Sequence, residues 1–121
     1  MAVMQDELRQ TAPNAITAGP LDADSTVYNS ITFYLPDGIS GGAIDWASNT
    51  TQYVLGGADS NELQRIEGAS TTVIARNIQS LGFVRQNGSG DIIGVTLQAQ
   101  GTTADNRTIA IDFGFEVQMR N

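Results

Sequence analysis

From Arg107 to Arg120 the odd positions Ile109, Ile111, Phe113, Phe115, Val117 and Met119 are all apolar, while the even positions between them are small or polar. This unbroken alternation predicts a strand with one buried face and one wet face. A slip of one residue would expose two Phe, so the register is expected to be fixed, and Phe113→Asp is expected to unfold the domain. A second alternation runs from Val27 to Leu35, with Asn29, Ile31 and Phe33 on the same side and Tyr28, Ser30, Thr32 and Tyr34 on the other. It predicts a half-buried strand that ends in the turn chemistry of Pro36-Asp37-Gly38.

Shorter patterns fill the middle. Gly41-Gly42 precedes a short strand through Ile44, Asp45 and Trp46; Asn49-Thr50 reads as a turn, and residues 52 to 55 run back. The cluster Gly56-Gly57-Ala58-Asp59-Ser60-Asn61 predicts another turn, followed by a strand over residues 62 to 67. Residues 43 to 67 are therefore expected to form a small antiparallel meander. Ile74, Ile78 and Leu81 have helical spacing, so a short helical insert capped by Ser70 or Thr71 is expected next. Residues 80 to 86 and 91 to 100 read as strands joined by a hairpin loop at Asn87-Gly88-Ser89-Gly90, with a polar loop over residues 101 to 106 after them.

The N-terminal pattern differs. Met4, Leu8 and Ala12 recur at i, i+4 and i+8 among polar neighbours, which predicts a helix over residues 3 to 12, stopped by Pro13. A helix this short is marginal alone in water, so it must dock on the sheet or be the tail of a longer one. Residues 14 to 25 read as a linker. The sum is an α+β domain: one helix packed on an antiparallel sheet, with a small meander and a short helical insert.

Composition narrows the chemistry. The chain has 121 residues, no Cys, no His and no Lys, with six Arg against thirteen Asp and Glu for a net charge of -7. One domain, residues 1 to 121, is the natural count. Without His or Cys there is no Ser-His or Cys-His nucleophile pair and no ordinary zinc or iron–sulfur site. Without Lys there is no Schiff base. The acidic balance and scattered Arg argue against nucleic acid as a partner. No apolar run approaches the ~20 residues that span a bilayer.

Few residues mark a site. Asp22-Ala23-Asp24 opens like a calcium loop, but Val27 stands where Gly is needed and no Glu follows at the twelfth place. Asp59 sits in a second oxygen-rich cluster with Asn61 and Glu62. Asp22, Asp24 and Asp59 are the only oxygen-ligand candidates this reading offers, and solvated turns account for them. No cofactor is expected. Trp46 with Tyr53, and Tyr28 with Tyr34, are candidates for a stacking surface that contacts a glycan or another protein. Arg76 and Arg85 have no marked partner in sequence.

Several stretches together resemble type IV pilin-like proteins. Asp6-Glu7-Leu8-Arg9-Gln10-Thr11-Ala12 is similar to the end of that family's long N-terminal helix, and Ile31 to Pro36 to the first strand after it. Gln52 to Leu55 with Asn61 to Arg65 resembles its hairpin. Val73-Ile74-Ala75-Arg76-Asn77-Ile78-Gln79-Ser80-Leu81-Gly82-Phe83 and the ending Glu116-Val117-Gln118-Met119-Arg120-Asn121 resemble two further segments, with Met119 where Leu is usual. The motifs fall in family order over most of the chain and are most similar to W-like minor prepilins and J-like minor pseudopilins of type II secretion. The family's basic leader, cleavage site and apolar helix half have no counterpart. The resemblance therefore implies a headgroup, with residues 1 to 13 the remnant of the long helix. It implies a structural subunit outside the cytoplasm, without enzymatic activity, whose partners are other pilin or pseudopilin subunits. Contact with a membrane would come only through the missing helix. Met4, Leu8 and Ala12 would fix how the helix docks. The alternatives are an extracellular binding module using Trp46 and nearby Tyr, and an enzyme built on carboxylates.

Overall fold

The computed structural model describes residues 2–21, 26–86 and 89–119. Helix α1 covers Ala2–Gln10, and a single 3₁₀ turn follows at Pro13–Ala15. The strands are β1 (Ile16–Ala18), β2 (Ser30–Ser40), β3 (Ala43–Gly56), β4 (Glu62–Glu67), β5 (Ser70–Ala75), β6 (Ile78–Gln86), β7 (Ser89–Thr102) and β8 (Thr108–Gln118). They form two antiparallel sheets, ordered β1-β2-β3-β4-β5 and β6-β7-β8. The expected α+β class is thus corrected. The described chain is mostly strand, with one short helix, and it is not a pilin-like fold built on a long helix.

The helical insert is where local pattern misled. Ser70–Ala75 is strand β5, paired with β4 from Glu67↔Ser70 to Leu63↔Ala75. Its run Thr71-Thr72-Val73-Ile74 is β-branched throughout, which disfavours helix and suits a pleated edge. The helical spacing of Ile78 and Leu81 has a different origin. A register irregularity between Ile78 and Ser80 inserts one residue, so both side chains are buried from one strand.

Two expected turns are also absent. Strand β2 runs on through Pro36-Asp37-Gly38, with register irregularities on either side of Pro36 absorbing its missing N–H. The chain reverses instead at Gly41-Gly42, between the pair Ser40↔Ala43. Both glycines have positive φ, 59° and 81°, as a two-residue hairpin demands. Strand β3 likewise continues through Asn49-Thr50 without reversing: Tyr34↔Thr50 and Thr51↔Glu67 hold it, and the register irregularity before Pro36↔Trp46 takes up residues 47 to 49. The expected linker holds β1, which pairs with β2 through Ile16↔Phe33. The expected hairpin at Asn87-Gly88 lies outside the described residues, although Gln86↔Ser89 closes the β6–β7 ladder beside it.

A single core joins all three parts. Ile31, Phe33, Tyr53 and Leu63 come from the larger sheet; Ile78, Leu81, Phe83, Ile93, Val95, Leu97 and Val117 come from the smaller; Met4 and Leu8 come from α1. Phe33 and Tyr53 stack with ring centroids 6.2 Å apart. The sheets are tied by backbone as well. Tyr28 and Phe83 exchange N–H···O bonds of 2.8 and 2.7 Å, and Ile78 N–H donates to Asn61 C=O at 2.9 Å.

Strand β8 divides the expected buried face in two. Val117 is 1% exposed and Met119 is buried, but Ile109, Ile111 and Phe113 are 49%, 52% and 51% exposed. The alternation is real, and only its C-terminal part meets the core. Helix α1 contacts β8, yet the residues from Thr108 to Gly114 are all exposed. The expectation that Phe113→Asp unfolds the domain is corrected on the same ground.

Candidate functional site

The most constrained polar cluster lies where α1 meets the larger sheet. Met4 and Leu8 are fully buried and Ala12 nearly so. The i, i+4 stripe therefore does dock the helix, and it places Glu7 on the flank of that stripe. Strands β3 and β4 pair Tyr53 with Arg65, and both side chains reach Glu7. Arg65 donates from Nε to Glu7 Oε1 at 2.8 Å and from Nη2 to Oε2 at 2.6 Å, a two-pronged ion pair. Tyr53 donates its phenol O–H to the same Glu7 carboxylate. Arg65 Nη2 also lies 3.3 Å from Glu67 Oε2. One turn further along the chain, Thr11 Oγ1 donates to the Tyr34 carbonyl at 2.8 Å.

These groups are largely out of solvent: the Arg65 and Glu7 side chains are 19% and 13% exposed. Burial raises the Tyr53 phenol well above its ordinary pKa of 10.0, and the hydrogen bond to Glu7 and that group's charge add to it. The hydrogen bonds to Glu7 likewise hold the Arg65 guanidinium above its usual value. Chemically this is a latch. The Glu7 charge is matched by Arg65, and the Tyr53 and Arg65 protons are held more tightly than usual, the reverse of a group poised to react.

Tyr53 is therefore no surface residue, which corrects its expected pairing with Trp46. Its ring stacks on Phe33 and its hydroxyl faces Glu7. Trp46 instead shares a recess of about 450 Å³ with Tyr34, Asn14, Ala15, Ala47 and Ser48. Both rings are half-buried. Tyr28 stands apart, at the bridge to Phe83.

Asp59 is exposed in the turn between β3 and β4. Asp22 and Asp24 lie outside the described residues. Among the described residues no three His, Cys, Asp or Glu come close enough to hold a metal ion. Arg76, unmarked in sequence, pairs with Glu62, and Arg85 donates to the Leu21 carbonyl. Sequence reasoning missed the Glu7–Tyr53–Arg65 cluster. Its members are 46 and 58 positions apart along the chain. The one available signal was a Glu flanking the apolar stripe of an otherwise undersized helix.

No helix among the described residues is long and apolar enough to cross a membrane. No family model, no characterised protein and no solved structure matches the chain, so the resemblance to type IV pilin-like proteins stands on its motifs alone.

Proposed function

We propose that the chain is the β-rich head of a structural subunit of a type IV pilus or type II secretion pseudopilus. In this reading it is a minor component that works outside the cytoplasm and assembles with other subunits through its helix. The observation that carries the reading is the latch. A subunit that assembles through a helix must pass the helix's position on to its head without slack. Here a nine-residue helix is fixed by two buried apolar side chains and by a carboxylate bonded to two neighbouring strands. A helix with no mechanical role could dock on Met4 and Leu8 alone. The order of the pilin-like motifs adds to the reading.

The test is where the protein is found. Antibodies raised against the 121-residue chain should label filaments sheared from the cell surface or periplasmic assemblies. The gene upstream of this segment should encode a leader with a Gly/Phe junction and about twenty apolar residues. Recovery of the protein only from the cytosol, with no such segment upstream, overturns the reading.

The Trp46–Tyr34 recess favours a second reading, an extracellular binding module. Two half-buried rings facing one cavity provide the flat apolar surface on which a sugar ring stacks. The chain has a single Trp, so quenching or a spectral shift of its emission by glycans would report binding at that recess. An emission spectrum unchanged across a glycan panel removes this reading.

A further inference from the structure

The open edge of β8 is built to pair with another strand, and the pattern along it selects the partner. Protein sheets blunt their edges with short strands, bulges, Pro or Lys. Strand β1 has three residues, β5 has six and carries a register irregularity, and the β6 edge is irregular and bridged by Tyr28. Strand β8 has none of these, and the charges it carries are two carboxylates, Asp112 and Glu116. It is eleven residues long, contains no Pro or Lys, and pairs with β7 in unbroken register from Ile92↔Gln118 to Thr102↔Thr108.

The hydrogen-bond phase of that edge is fixed. Met119 donates its N–H to the Asp91 carbonyl of β7 at 2.7 Å. Bonded and non-bonded pairs alternate in an antiparallel ladder, so the odd residues of β8 bond to β7. The even residues, Thr108, Ala110, Asp112, Gly114, Glu116 and Gln118, turn their N–H and C=O groups outward. On the odd positions Ile109, Ile111 and Phe113 stand exposed.

We propose that β8 pairs antiparallel with β8 of a second copy of this chain, about a twofold axis at Phe113, to form one six-stranded sheet. Charge and length choose this register. An axis at Asp112 sets that carboxylate against itself, and an axis at Gly114 sets Asp112 against Glu116; both are penalised by like charge. An axis at Ile111 overlaps only seven residues, Thr108 to Gly114. The axis at Phe113 overlaps all of Thr108–Gln118. It puts Asp112 opposite Gly114, Glu116 opposite Ala110 and Thr108 opposite Gln118, so no charge lies directly opposite a charge and the carboxylates of the two copies meet only on the diagonal, about 7–8 Å apart. These even pairs make the new ladder bonds. The odd pairs, Phe113 with Phe113, Ile111 with Phe115 and Ile109 with Val117, fall at the closely spaced non-bonded positions, where cross-strand side chains contact best. Helix α1 contacts β8, yet Glu116 and Gln118 remain exposed and β8 is the last strand of its sheet. This pairing uses a surface separate from the helix latch and stands or falls independently of the filament reading.

The absence of Cys makes the test direct, because any engineered disulfide must be intermolecular. Phe113→Cys places two sulfurs at a pair whose Cα atoms lie about 4.5 Å apart, within disulfide range. Under mild oxidation it should give mostly covalent dimer. Ile111→Cys puts the two thiols about four residues, roughly 14 Å, apart and should stay largely monomeric on the same timescale. Sedimentation equilibrium of the unmodified chain should show a concentration-dependent dimer. Ala110→Pro, which removes an outward N–H and no bond to β7, should abolish it while keeping a cooperative melt. Equal crosslinking by both Cys variants overturns the pairing. A monomer at every concentration also overturns it and leaves the edge to a strand from a different chain.

Discussion

Three ties end on the Glu7 carboxylate, two from Arg65 and one from Tyr53. Glu7→Ala leaves the Tyr53 hydroxyl without its acceptor and the Arg65 guanidinium with Glu67 alone, and a lost hydrogen bond to a charged group costs about 1.5–3 kcal/mol. The expected loss is about 2 kcal/mol, read from urea denaturation. Arg65→Ala should cost a similar amount, and the double variant clearly less than the sum, since both remove one interaction. Additive losses would show that the pair is only adjacent. Tyr53 gives the cluster a pH dependence. Folding raises its pKa, so the folded state holds the phenol proton more tightly than the unfolded chain does. That stability is fully present below the ordinary value of 10.0 and is lost as pH rises through the folded one. The melting temperature of the native chain should therefore fall more between about pH 8 and pH 11 than that of Tyr53→Phe. Equal falls would place the alkaline sensitivity elsewhere. None of this was legible in the sequence, because the partners meet only across strand register and helix docking.

Among the elements, β8 shows how far a pattern reaches. Its period follows from alternation and the structure keeps it over Thr108–Gln118, but burial of two Phe does not fix the register, since Phe113 is exposed. Alternation states which side chains share a face, but whether anything covers that face depends on the width and placement of the opposing layer. Here the cover reaches Val117 and stops before Phe113. Val117→Asp should thus abolish the cooperative melt, because it buries an unpaired carboxylate. Phe113→Asp should fold, with a melt close to the native one at concentrations where the chain is monomeric. Unfolding of the Phe113 variant, or tolerance of the Val117 variant, would mean that the core lies under the other half of the strand. The same limit explains β5 and β6. Spacing of Ile74, Ile78 and Leu81 mimicked a helix because a β-bulge restores face identity at i+3. The Pro36-Asp37-Gly38 and Asn49-Thr50 turn signals were overridden by the β2–β3 ladder, which resumes after register irregularities at Pro36↔Trp46 and Gly38↔Asp45. The Gly41-Gly42 hairpin needed positive φ at two successive residues, a requirement that two adjacent glycines advertise more strongly than Pro-Asp-Gly does.

At the scale of the whole molecule, α1 packs on strands of both sheets, which also meet each other directly through β2, β3 and β6. The backbone bonds between the sheets are few, and the shared core draws on both of them together with Met4 and Leu8. A nine-residue helix would not persist alone, so its order comes from this contact, and the sheets in turn depend on it. The dependence has a size. Removing a buried Met or Leu side chain costs about 2–5 kcal/mol, so losing both costs about 4–10 kcal/mol, against a total stability of about 5–15 kcal/mol for a domain. Loss of Glu7 also removes the acceptor of Tyr53 and the two-pronged partner of Arg65. A chain beginning at Pro13 should therefore keep strand content by far-ultraviolet circular dichroism but lose its cooperative heat-capacity peak and bind a hydrophobic dye, as a loosened core does. Supplying residues 1 to 12 as a separate peptide should restore part of the peak, because the docking groove is set by the sheets. A cooperative melt within a few degrees of the native one in the shortened chain would make α1 an ornament on a self-sufficient sheet pair. It would also remove the mechanical argument for the latch.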